Sequence, residues 1–141
     1  IAGIGQAAAQ AYEDLEQKTA HLWELKNRLL AHTAKMDGIV INGSSGPDSA
    51  PHIVNLSIPG VRSEVMLHAL EEYGVYVSAG SACASHHHEP SHTLKAIGLE
   101  PALAQSALRF SFSSTTKLQE IDYAAEKLAE LAPKLRRYVR H

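Results

Sequence analysis

The stretch ACASHHHEPSH, residues 82–92, gathers the strongest candidates for chemistry in the chain: its only cysteine, Cys83, and four of its nine histidines. Three kinds of chemistry are open to such a set. His88-Glu89-Pro90-Ser91-His92 has the spacing H-E-x-x-H, in which two histidines one turn apart on a helix share a zinc ion. Pro90, however, stands inside that turn. Proline has no N–H and drives the residue before it out of helical geometry, so His88 and Glu89 are expected to lie outside any helix that starts near Ser91. The protease ligand pair is then lost. A looser zinc site is the second possibility, because Cys83, His86, His87, His88 and His92 supply soft and borderline ligands within ten residues. It would have to order a loop whose adjacent side chains diverge, and the bland alternative is a polar, solvated segment.

The third possibility is Cys83 itself as a nucleophile. A lone cysteine is most often a small buried hydrophobe. Its neighbours in SAGSACAS offer no large apolar side chain to bury the thiol, and nearby imidazoles stabilise a thiolate when protonated. A thiolate on a loop suits a reaction in which sulfur travels from one site to another. Spacing alone does not choose among the three.

The elements that would hold these residues alternate between helical and strand periods. Ala8, Ala11, Leu15, Leu22, Leu25 and Leu29 form one apolar stripe, which predicts a long amphipathic helix ending near Lys35. Gly38 permits a turn into Ile39-Val40-Ile41, and NGSSGPDSAP is built from turn formers. Ile53, Leu56 and Ile58 mark a strand stopped by Pro59-Gly60. Ser63 is placed to cap a helix that Gly74 ends. Val75, Tyr76 and Val77 are strand formers, and SAGSACAS breaks that strand. Ser91 is placed to cap a short helix ending at Gly98, and Pro101 to open another. LRFSF alternates strictly, with Leu108, Phe110 and Phe112 on one side and Arg109 and Ser111 on the other, so Arg109 is aimed away from the core. Thr116 and Gln119 have capping-box spacing, and Leu118, Ile121, Ala125, Leu128, Leu131 and Leu135 predict a final helix. The order α-β-β-α-β-(α)-β-α predicts an α/β (α+β) domain with a small mixed or antiparallel sheet covered by helices.

With 141 residues, 45% of them hydrophobic, the chain can bury one core of ordinary size. A net charge of −2 gives no electrostatic footprint for nucleic acid or an anionic membrane surface. The basic residues Lys134, Arg136, Arg137 and Arg140 sit where they would complement a helix C-terminus. One cysteine excludes an internal disulfide framework and fits a reducing compartment. No apolar run approaches the roughly 20 residues of a membrane span, and no secretory signal is legible, so a cytoplasmic location is expected. The start at Ile1, already within a helical pattern, suggests a fragment.

The ordered motifs SAGSACAS, EPSHTLKAIGL, SALRFSFSSTT and EID resemble the C-terminal part of the cysteine desulfurases of the NifS and IscS type, within the class V aminotransferase family. The opening IAGIGQAAAQA resembles the helix that follows that family's cofactor-phosphate contact, so the likeness spans the chain. It implies that residues 1–141 are the small C-terminal domain of a fold-type I pyridoxal phosphate enzyme. Cys83 matches the catalytic cysteine, which takes sulfur from L-cysteine as a persulfide and leaves L-alanine. Arg109 matches the arginine that binds the substrate carboxylate; Ser78, Gly80 and Ser81 shape the turn that leads to the loop. The family's Schiff-base lysine belongs to a large domain not contained here, and none of Lys18, Lys26, Lys35, Lys95, Lys117, Lys127 and Lys134 matches it. The isolated chain is accordingly expected to be inactive, with no cofactor-binding or metal residue assigned. Implied partners are a sulfur acceptor, either an iron–sulfur scaffold or a tRNA-thiolation protein, and a second copy in a full-length homodimer. A selenocysteine lyase would use the same loop. A non-enzymatic metal- or sulfur-binding module built on Cys83 and His86–His92 is the alternative from another class.

Overall fold

A computed structural model describes residues 2–80 and 91–138. The chain runs α1 (Ala2–Tyr12), α2 (Leu15–Thr33), β1 (Val40–Ile41), β2 (Ile53–Ser57), α3 (Ser63–Glu71), β3 (Ser78–Ala79), α4 (His92–Ala96), α5 (Pro101–Ala104), β4 (Ala107–Ser111) and α6 (Leu118–Tyr138). Four strands form one sheet in the order β1-β2-β4-β3, and each neighbouring pair is antiparallel. The expected element order is therefore present, and the sheet is antiparallel rather than mixed.

Period-two alternation decides which face is buried. Val54 and Leu56 of β2, Leu108 and Phe110 of β4 and Ala79 of β3 join one core cluster with Leu25 and Leu29 of α2, Met66 and Leu70 of α3, and Ile121, Ala125, Leu128 and Leu131 of α6. The opposite face carries Asn55, Ser57, Ser78, Arg109 and Ser111, because residues paired directly across strands share a face. Turns hold this arrangement. Gly38 has φ +68°, a left-handed conformation that only glycine adopts without strain. Above it lies Arg136 of α6, which donates Nη1 to the Asp37 carbonyl at 2.8 Å, Nη2 to the Gly38 carbonyl at 2.7 Å and Nε to the Pro59 carbonyl at 3.1 Å. One guanidinium thus fastens the turns that enter β1 and leave β2. Lys134 pairs with Glu130 at 2.7 Å. Arg136 and Arg137 stand in the last turn of α6, as expected for a helix C-terminus, with Arg136 also engaging loop carbonyls and Lys134 a carboxylate; Arg140 lies outside the described residues.

Other expectations move by a residue or a turn. The long N-terminal helix is two helices, because Asp14 sits at φ 53° between them. Ala8, Ala11 and Leu15 are exposed, so the buried part of the stripe begins only within α2. Ser63 is the first residue of α3 rather than its cap; it is buried, and its N–H donates to the Gln105 carbonyl at 3.0 Å. The capping contact of α6 is shifted by one: the Glu120 carboxylate accepts from Lys117 N–H at 2.7 Å, and Thr116 Oγ1 instead accepts from Ser113 N–H. Val75–Val77 precede the strand, and the small residues Ser78 and Ala79 form it. Small side chains suffice there because β3 needs only backbone pairing with β4 and room beneath α3.

Lys26 of α2 is a buried cation, 3% exposed. Its amine donates to Ser49 Oγ at 2.7 Å and the Ala50 carbonyl at 2.9 Å, and it lies 5.2 Å from the centre of the Trp23 ring. Burial pushes its pKa down. The contact ties the polar loop after β1 to α2, beside a cavity of about 150 Å³ lined by Leu30, Ile41, Ser44 and Val54.

Candidate substrate site on the outer face of the sheet

The outer face is organised around Arg109. It stands in β4 directly opposite Asn55 of β2 on one side and Ser78 of β3 on the other. Its side chain is exposed, and Nη2 donates to Ser78 Oγ at 3.4 Å, at the long limit for such a bond. Among the described residues no carboxylate pairs with it. A guanidinium left uncommitted between two polar neighbours is a receptor for an anion, and its planar fork matches a carboxylate bidentately. The strict alternation in LRFSF thus puts Arg109 on the face where the sequence expects it.

The chain that carries Cys83 departs from this spot. β3 ends at Ala79, one residue beyond the partner of Arg109, and Gly80 follows. A methyl group built on Gly80 would meet Ser91 Cβ at 3.4 Å, so the two residues that bracket 81–90 adjoin one another. Ser81, Cys83, His86, His87, His88, Glu89 and Pro90 lie outside the described residues. Ser91 occupies the N-cap position of α4 without a side-chain capping bond, and His92 is the first helical residue, exposed. Among the described residues no group of three metal-ligating side chains comes together.

Asn55 and its supports had gone unread in the sequence. Ser57 Oγ donates to the Leu103 carbonyl at 2.8 Å, Asn42 Nδ2 donates to Ser57 Oγ at 2.8 Å, and Asn42 Nδ2 donates to Asn55 Oδ1 at 2.7 Å. The signal was present: Asn55 and Ser57 alternate with Val54 and Leu56, a polar face inside an apolar strand.

A second charged group lies elsewhere, between α2 and α6. Asp122 accepts from Arg28 Nε at 2.7 Å and Nη2 at 2.9 Å, and contacts His32 Nε2 at 2.7 Å. The hydrogen bonds from Arg28 and then from His32 hold its carboxyl at about 2, below the ordinary 3.8. This pairing joins α2 to α6, the helices that pack on the core face of the sheet, whereas Arg109 stands on the opposite face.

Residues 1–124 match the family model of the class V aminotransferases. The chain belongs to that family. It is 43% identical over 136 residues to the cysteine desulfurase IscS of Vibrio cholerae, covering 96% of this chain and 33% of that protein. Identity to the cysteine desulfurase IscS of Pseudomonas aeruginosa is 40% over 136 residues, with the same coverage. A solved NifS-like protein superposes with a TM-score of 0.73 at 27% identity, over 89% of this chain and 30% of that one. A NifS-like protein from Rickettsia africae gives 0.80 at 23% identity, over 94% and 34%, a likeness of fold. The chain thus spans about a third of the length of the curated relatives it matches.

Class V aminotransferases are in general pyridoxal phosphate enzymes. The described residues do not fit the covalent anchor of that cofactor. Lys18 is bound to the Gln10 carbonyl, Lys26 to Ser49 and Ala50, and Lys127 and Lys134 to Glu130, while Lys35, Lys95 and Lys117 are exposed. Glutamate partners raise the pKa of Lys127 and Lys134, the opposite of what an imine-forming amine needs. Among the described residues, no helix is long and apolar enough to cross a membrane.

Proposed function

We propose that this chain is the C-terminal small domain of a cysteine desulfurase, and that Cys83 accepts the sulfur of L-cysteine while Arg109 binds the substrate carboxylate. In that reaction the carbon–sulfur bond of L-cysteine breaks and a sulfur–sulfur bond forms at Cys83. L-cysteine and the thiol become L-alanine and a persulfide, so the balance needs no external oxidant. Pyridoxal phosphate would be held by a part of the enzyme outside this chain, and the isolated chain is inactive on this reading. The persulfide then passes to an acceptor protein serving iron–sulfur assembly or tRNA thiolation, and the whole enzyme works as a cytoplasmic homodimer.

The observation that carries the reading is the uncommitted guanidinium of Arg109 paired with β3, the strand whose continuation contains Cys83, within a chain 43% identical to a cysteine desulfurase. The arrangement supports a division of labour: a sheet residue fixes one end of the substrate, and Cys83, four residues beyond β3 in the sequence, receives the atom transferred. The test uses the intact protein with pyridoxal phosphate, L-cysteine and a reductant. Sulfide release is expected, with equimolar L-alanine. Cys83→Ser should abolish both products while the absorbance of bound cofactor persists, and retained turnover in that variant would remove Cys83 from the reaction.

A further inference from the structure

We infer that Asn55 supplies a second hydrogen-bond donor to the substrate carboxylate, beside Arg109; the inference rests on the reading of Arg109 given above. Asparagine presents an oxygen that only accepts and a nitrogen that only donates, so its orientation decides what it offers a ligand. Here the orientation is dictated by a chain of bonds that begins in the backbone. The single proton of the Ser57 hydroxyl goes to the Leu103 carbonyl, so Ser57 Oγ is an acceptor toward Asn42. Asn42 must therefore present its nitrogen, and that nitrogen also donates to Asn55 Oδ1. The reversed Asn42 would bury two amide protons without acceptors among the described residues, a worse outcome than the single oxygen, Oδ1, that has no partner among them. Asn42 is 7% exposed and Ser57 fully buried, so both partners that orient Asn55 are held inside the fold.

With its oxygen committed toward β1, Asn55 keeps its amide nitrogen free, and among the described residues that nitrogen has no partner. Asn55 is half-buried and sits directly across from Arg109 on the same outer face. Residues paired in this way have Cβ atoms roughly 5 Å apart, a separation that lets an amide N–H and a guanidinium reach the two oxygens of one carboxylate. Two fixed donors on adjacent strands discriminate a planar carboxylate from an ester or an amide more sharply than a single mobile arginine would. The unpartnered Asn42 oxygen is then the structural cost of holding Asn55 in its donating orientation.

The experiment uses the intact protein and two readouts. One is the dissociation constant of 3-mercaptopropionate, which carries the thiol and carboxylate of the substrate but no amino group to condense with an aldehyde, measured by calorimetry against its methyl ester. The other is the KM for L-cysteine. Asn55→Leu should weaken 3-mercaptopropionate binding and raise KM by about tenfold, with kcat and methyl ester binding nearly unchanged. Asn55→Asp keeps an oxygen for Asn42 while removing the donor. It should weaken carboxylate binding at least as much, and it decides the matter if the leucine variant does not fold. Unchanged carboxylate binding in a folded variant overturns the inference even if sulfide release stands. Weakened carboxylate binding in a protein that releases no sulfide from L-cysteine would instead retain Asn55 and overturn the proposed reaction.

Discussion

Arg109 and Ser78 face one another across the β3–β4 pair, joined by a bond of 3.4 Å from guanidinium to hydroxyl. A contact that long contributes little, so Ser78 steadies the guanidinium without occupying it. The two residues should therefore separate kinetically in the intact protein. Arg109→Gln should raise the KM for L-cysteine and lower kcat/KM by the equivalent of ~2 to 4 kcal/mol if the ion pair with substrate is desolvated. Ser78→Ala should change kcat/KM by less than about fivefold. Equal losses in the two variants would make the hydroxyl part of the binding site rather than a support.

The face on which Arg109 stands follows from alternation in β4, which LRFSF displays without interruption, and the order of elements follows from equally local signals. Three features were not legible for physical reasons. The break at Asp14 depends on one residue adopting a left-handed conformation, which leaves the apolar stripe unbroken on either side. β3 is two small residues whose pairing is decided by β4, so the strand formers Val75–Val77 misplace it. The orientation of Asn55, unlike the face it stands on, is set by Asn42, thirteen residues away, and by Leu103 beyond that. Long-range hydrogen bonds of this kind leave no period in the sequence.

The Asp122 pairing predicts an acid-sensitive contribution to stability. Its carboxyl, held at about 2 against an ordinary 3.8, favours the folded state whenever it is ionised in both states. Because the folded value is the depressed one, the contribution is complete above the unfolded pKa and fades as pH falls through the folded one. Asp122→Asn should thus be less stable than the wild type at neutral pH. The gap in urea denaturation should hold constant down to about pH 5, then narrow toward pH 2. A gap independent of pH across that window would assign the loss to packing.

Arg136 binds three loop carbonyls with one side chain, so its removal should be felt at two turns at once. Arg136→Ala is expected to cost about 1 to 2 kcal/mol, reduced from the buried case because two of the bonds are exposed. Gly38→Ala attacks the same place from below. The new methyl would need φ +68° and would approach Arg136 Nη2 to 2.9 Å, so a further ~1 kcal/mol or more is expected from strain and displacement. The double variant should cost less than the sum, because both changes break the same contact. Additive losses in chemical denaturation would show the turn and the guanidinium to be independent.

Leu108 lies one residue from Arg109 and points the other way, fully buried in the core with Leu56 and Leu128. Truncating it should open a cavity under the central strand and lower stability by about 2 to 5 kcal/mol, depending on how far α6 can settle into the gap. The site on the opposite face is a different matter: the backbone of β4 is held on both sides by β2 and β3, so the register that sets Arg109 between Asn55 and Ser78 should survive. In the intact protein, Leu108→Ala should lower the unfolding midpoint markedly while the KM for L-cysteine changes by less than about threefold at a temperature where the variant is folded. A large rise in KM in a fully folded variant would mean that core packing beneath the strand, and not strand pairing alone, fixes the guanidinium.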